Sequence, residues 1–175
     1  MGNWIVRIGK YLIAAMAVAS AVPASAQAVP PDRDANGKAL ILVPLTLTKI
    51  ADLEFGTLVP SAVSGIVAID ATTGNRTVAG GVTGVPSDAG HRARFAGAGT
   101  PNQQVVVVIT PPTQLTSVAG DNIQVLALTL EGSPFKTIDP TTRTFAFGVG
   151  GILLIAADQP EGVYTATFNV NANYQ

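Results

Sequence analysis

Short apolar runs separated by turn-forming residues fill the chain after residue 37. The runs are rich in Val, Ile, Thr, Phe and Leu, which are favoured on pleated sheets, and Gly, Pro, Asn and Asp stand between them. No long window after residue 26 combines helical periodicity with helix-capping signals. Strands at this spacing predict an all-β fold, a sandwich or a barrel. The runs are 38–50, 51–59, 64–70, 75–80, 91–97, 103–110, 122–130, 142–148, 151–157 and 162–175.

The first 26 residues have the composition of a secretory signal peptide. Arg7 and Lys10 give a basic start, residues 11–22 are a short apolar stretch, and residues 24–26 supply the small side chains of a cleavage site. The stretch is short for a bilayer-spanning helix, and no later stretch reaches the roughly 18 apolar residues that one needs. We therefore expect export to the periplasm, then the cell surface, and no integral membrane segment. An uncleaved N-terminal anchor is the alternative.

Without this leader the chain would start at Gln27, with residues 27–37 as a polar, flexible lead-in. The remaining 149 residues suit one domain with a sizeable core. They carry 8 basic and 11 acidic side chains, a net charge of −3, which gives no basic patch for nucleic acid. Cysteine is absent, so the fold must rely on packing without disulfides, and thiol catalysis is excluded.

Residues that could carry chemistry are few and scattered. His91 is the only histidine, and one His without Cys does not make a zinc site. Residues 32–37 match the opening of a calcium loop, but the twelfth position is Val43 where a bidentate Glu is needed, which favours a polar linker. No G-x-S-x-G motif occurs, and no spacing brings two carboxylates together for glycoside hydrolysis. The sequence predicts no cofactor, no metal and no enzymatic activity.

Three runs indicate how strands are arranged. Residues 144–156 have a Gly-rich centre, which predicts a hairpin. Residues 105–109 are apolar without alternation, which predicts an interior strand. Residues 122–130 are apolar on both faces, which predicts a central strand. In this strand Ile123, Val125 and Ala127 would share one face, and Leu126, Leu128 and Leu130 the other.

The final strand has a regular apolar alternation with a glycine before it and a tyrosine one residue from the end. The residues are Gly162, Tyr164, Ala166, Phe168, Val170, Ala172 and Tyr174. This pattern resembles the C-terminus of subunits of chaperone–usher pili. The resemblance implies that a periplasmic chaperone pairs with this strand before assembly. The last strand of any β-sandwich is the alternative.

The run behind the lead-in is a candidate donor strand, because pilin-like subunits carry an N-terminal extension that completes a neighbour's sandwich. Residues 38–48 would be donated, with one apolar face formed by Ile41, Val43, Leu45 and Leu47. Pro44 faces the other way and suits an edge. The alternative is that residues 38–50 are the domain's own first strand, and the sequence leaves both open.

Residues 52–58, with the pattern L-x-F-G, resemble secreted subunits of the spore coat protein U type. Leu53 and Phe55 would be core residues, and Gly56 would free the backbone for a turn. The resemblance implies an immunoglobulin-like antiparallel β-sandwich over residues 49–175, incomplete until a donor strand fills it. Many pilins have a disulfide near the first strand, and this chain departs from that pattern.

These observations together predict a structural subunit of a bacterial surface fibre or coat, assembled by donor-strand exchange. The implied partners are further copies or neighbouring pilin-like subunits, with a periplasmic chaperone and an usher. A self-contained adhesin or glycan-binding module is the alternative, although aromatic side chains for sugar stacking are few. Trp4 lies in the leader, and only Tyr164 and Tyr174 remain as tyrosines after it. An enzyme would need carboxylates that converge only in the folded chain.

Overall fold

Eleven strands make up the part of the protein that the computed structural model describes, residues 35–175. Leu40–Gln175 form one compact unit, and residues 35–39 are exposed and without regular structure. No helix occurs within residues 35–175. The strands are β1 (Thr46–Ala51), β2 (Leu58–Ile69), β3 (Arg76–Gly84), β4 (Ala93–Ala98), β5 (Gln104–Thr110), β6 (Gln114–Ser117), β7 (Asn122–Leu130), β8 (Phe135–Thr137), β9 (Thr144–Ile155), β10 (Tyr164–Thr165) and β11 (Asn169–Tyr174).

β9 is the centre of the larger sheet. Residues 144–149 pair with β4, and residues 151–155 pair with β2 along the same side. The other side of β9 pairs with β7. β1 extends this sheet beyond β4, β3 extends it beyond β2, and β6 and β10 extend it beyond β7. All of these pairs are antiparallel.

A second sheet of three strands has β5 at its centre, with β11 on one side and β8 on the other. The main core contains side chains from both sheets, so the sheets face each other: Ala93, Phe95, Val105, Val107, Ile138, Phe145, Phe147 and Val149. The rings of Phe95 and Phe147 stack with centroids 5.4 Å apart. The prediction of an all-β antiparallel sandwich is thus confirmed.

The far end of the larger sheet has a core of its own. Val67, Val82, Ile123, Leu153 and Ile155 are buried together there. All of them belong to the larger sheet, so this end curls over its own inner face. β9 therefore contributes to both cores, which joins them into one folding unit.

The predicted hairpin at residues 144–156 is wrong, because the segment is one continuous strand of 12 residues. Its glycines do not turn the chain. A Cβ on Gly150 would overlap the carbonyl oxygen of Ile69 and the backbone of Ala71. Glycine is used here because a neighbouring backbone passes too close for a side chain.

The predicted faces of residues 122–130 change partway along β7. Ile123 and Val125 contact the far core, as one alternating set. A register shift between Val125 and Ala127 then inserts an extra residue, and Leu128 and Leu130 contact the main core. A bulge moves all later side chains to the opposite face, so both apolar sets point inward.

The valine run also departs from its prediction. Val105 and Val107 are buried, but Val108 is 48% exposed. The run lies in the central strand of its sheet, but that strand still has one outer face. The central position therefore accounts only in part for the absence of polar residues from the run.

Aspartates hold three of the connections. The Asp70 carboxylate accepts hydrogen bonds from the backbone N–H groups of Thr72 and Thr73, and Asp139 accepts from those of Thr141 and Thr142. These bonds favour the charged carboxylates, so the pKa of each lies below its usual value, chiefly through Thr73 for Asp70 and Thr142 for Asp139. The Thr57 hydroxyl lowers the pKa of Asp88 in the same way.

Gly150→Ala should destabilise the fold by about 1–3 kcal/mol, because the added methyl group must displace packed backbone. The midpoint of urea unfolding measures this loss. Gly37→Ala is the matched control, since no atom lies within 4 Å of the Cβ that it adds. Equal midpoints for the two variants would contradict the close approach at β9.

Stability should fall on acidification below about pH 4. The three aspartates have lowered pKa values in the folded chain, so their contribution is complete above the unfolded pKa and is lost as the pH falls through the folded pKa. Asp139→Asn should lower the urea midpoint at neutral pH and reduce its decline in acid. Midpoints measured from about pH 2.5 to 7 test this, and an acid decline of the same size in the variant would contradict it.

Candidate functional site

The first and the last strand of the chain each have an unpaired edge. β1 pairs only with β4, and β11 pairs only with β5. Within residues 35–175 no strand pairs with the outer edge of either one. Both edges therefore have backbone N–H and C=O groups that do not pair with another described strand.

The two unpaired edges lie along the same side of the sandwich. At one end the Tyr174 hydroxyl donates a hydrogen bond to the Val43 carbonyl oxygen, 2.7 Å away, just ahead of β1. At the other end Phe168 meets Phe95 edge to face, with ring centroids 6.3 Å apart. Phe95 is the partner of Lys49 in β1. β1 and β11 thus run antiparallel along this side, and the strip between their outer edges is called the seam below.

Apolar side chains follow the seam along its whole length. They pack against the main core but stay only partly buried: Leu45, Leu47, Phe168, Val170, Ala172 and Tyr174. In a closed sandwich such side chains would be covered by a further strand. The seam is therefore a strip of partly buried apolar side chains between two unpaired strand edges.

The hydrogen-bonding groups of β11 alternate between β5 and the seam. The Gln175 N–H donates to the Gln104 carbonyl oxygen at 3.0 Å, in the register of the β5–β11 ladder. Antiparallel pairs alternate between bonded and non-bonded residues, so Asn171 and Asn173 bond to β5. The N–H and C=O groups of Val170 and Ala172 point into the seam. The residues with apolar inward side chains are thus also those that offer their backbone to an incoming strand.

The β11 edge has none of the features that usually prevent strand addition. Edge strands are commonly short, charged, bulged or interrupted by Pro. β8, the other edge of the same sheet, has three residues and contains Lys136. β11 has six residues, no charge, no Pro and an unbroken register with β5. This edge is open to pairing.

The predicted donor residues fall into two groups. Leu45 and Leu47 pack against the domain's own core, and Leu47 pairs with Gly97. Residues 46–48 therefore lie in the domain's own first strand, which is the alternative that the sequence left open. Ile41 is 92% exposed and Val43 is 46% exposed. Leu40, also 68% exposed, adds to the apolar segment Leu40–Val43 ahead of β1.

The predicted C-terminal strand is divided in two. Tyr164, two residues after Gly162, lies in β10 and pairs with β6 of the larger sheet, where its hydroxyl donates to the Pro160 carbonyl oxygen. Ala166 is exposed and belongs to neither strand. Phe168 begins the half that packs on the main core. The apolar alternation continues where the chain passes from one sheet to the other, because each half faces an apolar core. The alternation therefore does not reveal the break.

The L-x-F-G segment lies between β1 and β2. Leu53 contacts the main core and Phe55 the far core, while Gly56 has a φ of +70°. Arg76 fixes this turn by donating to the carbonyl oxygens of Phe55, Thr57, Val85 and Asp88. The segment thus connects the two cores directly after β1.

Titratable side chains that could bind a metal ion are scattered over the described residues. No group of three or more His, Cys, Asp or Glu within residues 35–175 is placed to hold a metal ion. His91 Nε2 lies 3.5 Å from a carboxylate oxygen of Glu54, and both side chains are exposed. Asp32 and Asp34 of the calcium-like pattern lie outside the described residues. A shallow hollow of about 200 Å³ between β2, β3 and β9 has no titratable side chain in its lining.

Residues 35–175 contain no helix long and apolar enough to cross a bilayer. The predicted leader, residues 1–26, and most of the lead-in lie outside the described part of the chain.

Sequence reasoning missed two residues at the end of the seam. The Thr100 N–H donates to the Tyr174 hydroxyl at 2.8 Å, and the Thr100 hydroxyl accepts from the Val43 N–H at 2.8 Å. Gly99 makes room for this contact, because a Cβ there would overlap the Tyr174 hydroxyl. Both residues lie in an ordinary Gly-Thr-Pro-Asn turn, and nothing in that turn signals a partner 74 residues away.

Amide hydrogen exchange should alternate along β11 in the monomer. The N–H groups of Asn171 and Asn173 are bonded to β5 and should be protected, while those of Val170 and Ala172 should exchange quickly. Residue-resolved exchange by NMR measures this pattern. Protection of all four amides in the monomer would contradict an open seam.

Comparison with known protein families gave a match that covers the domain. Residues 45–174 match a family described as a domain of unknown function (DUF4402). Searches of curated proteins and of solved structures found no match. The matched range starts one residue before β1 and ends on the last residue of β11, so it contains both edges of the seam and leaves out Leu40–Val43. Because the match covers well over half of the chain, the protein belongs to the DUF4402 family.

Proposed function

We propose that this protein is an exported structural subunit of a bacterial surface fibre or coat, and that it assembles by adding a strand from another chain to its seam. The observation that carries the proposal is the β11 edge. It combines a partly buried apolar face with backbone groups directed into the groove and no protecting charge. Strand addition satisfies both needs at once, because main-chain bonds hold the strand and apolar side chains fill the groove.

The occupant in this proposal is the segment Leu40–Leu42 of a second copy, directly ahead of Val43. The seam side chains are all apolar or aromatic, so a charged peptide would not suit them. The segment reads Leu-Ile-Leu, and Leu40 and Ile41 are mostly exposed in their own chain. Exposed aliphatic side chains next to a terminus need a partner to be removed from water. The two surfaces are therefore matched in chemistry within one sequence.

The energetics support a strong dependence of each subunit on its neighbour. Fully burying an aliphatic side chain contributes about 1.5–3 kcal/mol, and each hydrogen-bonding group left buried without a partner costs about 1–3 kcal/mol. A few such contacts amount to a large fraction of a domain's usual stability, about 5–15 kcal/mol. A subunit with an open seam would be marginal alone and firmly held within a polymer.

Export through the leader at residues 1–26 belongs to the same proposal. A subunit with an open apolar edge needs protection until assembly, because such edges pair with other chains. This need agrees with the resemblance to subunits of chaperone–usher pili. A periplasmic chaperone would cover the seam, and an usher would direct the exchange.

A self-contained binding module is the second candidate, and one observation favours it. β1 belongs to its own domain, which is what that candidate expects of the first strand. The position of β1 does not fill the seam, however, because β1 borders the groove on the side opposite to β11. The two candidates differ in whether the seam takes up a strand.

A synthetic peptide covering residues 38–44 should stabilise the purified protein and block the growth of large species. At about 100 times its Kd it should add about 2.7 kcal/mol, which corresponds to a rise in Tm of roughly 5–10 °C for a domain of this size. Thermal unfolding and light scattering measure both effects. The control is the same peptide with Leu40→Asp and Ile41→Asp.

Ala172→Pro tests the same edge by a change in β11 itself. The Ala172 N–H points into the seam, so Pro removes no bond to β5 and yet prevents an incoming strand from pairing. This variant should remain folded, ignore the peptide and stay monomeric, whereas Ala172→Ser should behave like the parent. A stable parent monomer that is indifferent to the peptide would favour the binding module.

A further inference from the structure

Three hydrogen bonds close one end of the seam. The Tyr174 hydroxyl donates to the Val43 carbonyl oxygen at 2.7 Å and accepts from the Thr100 N–H at 2.8 Å. The Val43 N–H donates to the Thr100 hydroxyl at 2.8 Å. Both backbone groups of Val43 are thus occupied. These three residues are called the latch below.

The latch limits how the chain ahead of Val43 can reach its own seam. Val43 is fixed at the Tyr174 end of the groove. The preceding residues could enter only by turning back at Val43 and running towards Phe168. Since β11 runs from Phe168 to Tyr174, such an insertion would lie parallel to β11. A strand from a second copy has no such constraint and can run antiparallel to β11, the slightly more stable arrangement at that edge, while it runs parallel to β1.

The residues at the latch also oppose a tight reversal. Two-residue hairpin turns need a positive φ, which Asn and Gly supply. Here the turn would fall on Val43 and Pro44. Pro has its φ fixed near −65° and restricts the residue before it to extended conformations. The chain therefore leaves the latch extended.

We propose that the latch makes assembly intermolecular by keeping Leu40–Leu42 out of their own seam and presenting them to another copy. This inference rests on the proposed function, since it concerns which chain supplies the strand that fills the seam. Tyr174 acts here as a positioning residue, and its ring and its hydroxyl have separable roles. The ring packs on the main core, while the hydroxyl holds Val43.

Engineered disulfides can distinguish self-insertion from exchange, because the chain contains no cysteine of its own. In a segment turned back at Val43, each step back in sequence moves one residue away from Tyr174. Ile41 would then lie beside Ala172. A chain with Ile41→Cys and Ala172→Cys should, on oxidation, give linked multimers and little closed monomer. Non-reducing electrophoresis separates the two products.

Removal of the latch should reverse this preference. Tyr174→Phe in the same double-cysteine chain keeps the ring and removes the hydroxyl, and the fraction of closed monomer should rise severalfold. Tyr164→Phe is the matched control, because its hydroxyl bonds at Pro160 outside the seam. Thr100→Val breaks the bond to the Val43 N–H and repeats the test if Tyr174→Phe does not fold.

The outcomes separate this inference from the proposed function. A mixture of two single variants, one with Ile41→Cys and one with Ala172→Cys, should form linked dimers if a second copy supplies the strand. Absence of these dimers overturns the proposed function. Dimers in the mixture, together with a closed-monomer fraction that does not respond to Tyr174→Phe or Thr100→Val, overturn the latch and leave strand exchange standing.

Discussion

β9 pairs with β4, β2 and β7, and the larger sheet is assembled around these three ladders. Its first half supplies Phe145, Phe147 and Val149 to the main core, and its second half supplies Leu153 and Ile155 to the far core. Near its middle, at Gly148 and Gly150, the backbone of residues 69–71 approaches too closely for a side chain, which glycine allows. The other strands of the larger sheet extend from these ladders, including β1 at the edge beyond β4.

The arrangement around β9 leaves the sandwich with unequal sides. β8 closes one edge of the small sheet with a short, lysine-bearing strand, whereas β11 has a long, uncharged edge opposite β1. Neither sheet can cover the seam by itself, because each ends there. The apolar side chains along it are held in place by the core beneath and by the latch at one end. If a further strand adds there as proposed, these side chains are already in position, which lowers the ordering cost of adding it.

Local patterns predicted the elements better than their connections. Alternation and turn residues indicated the all-β sandwich. The hairpin predicted at residues 144–156 is wrong because a glycine in the sequence does not reveal whether it serves a turn or a close approach of neighbouring backbone. The predicted assignment of β7 side chains to two faces is wrong because the bulge after Val125 arises from the pairing with β9. The break between Tyr164 and Phe168 is hidden because both halves need apolar residues at the same spacing.

The sequence by itself determined the class of fold, the absence of disulfides and the apolar residues that had to be buried, because these depend on composition and on a period of two. It also showed that Val170, Ala172 and Tyr174 share a face. Only the tertiary structure decided that this face borders an unpaired edge, that Leu45 and Leu47 belong to their own domain, and that Tyr174 bonds directly to Val43. Those facts depend on which strands meet, and residues far apart in sequence decide that jointly.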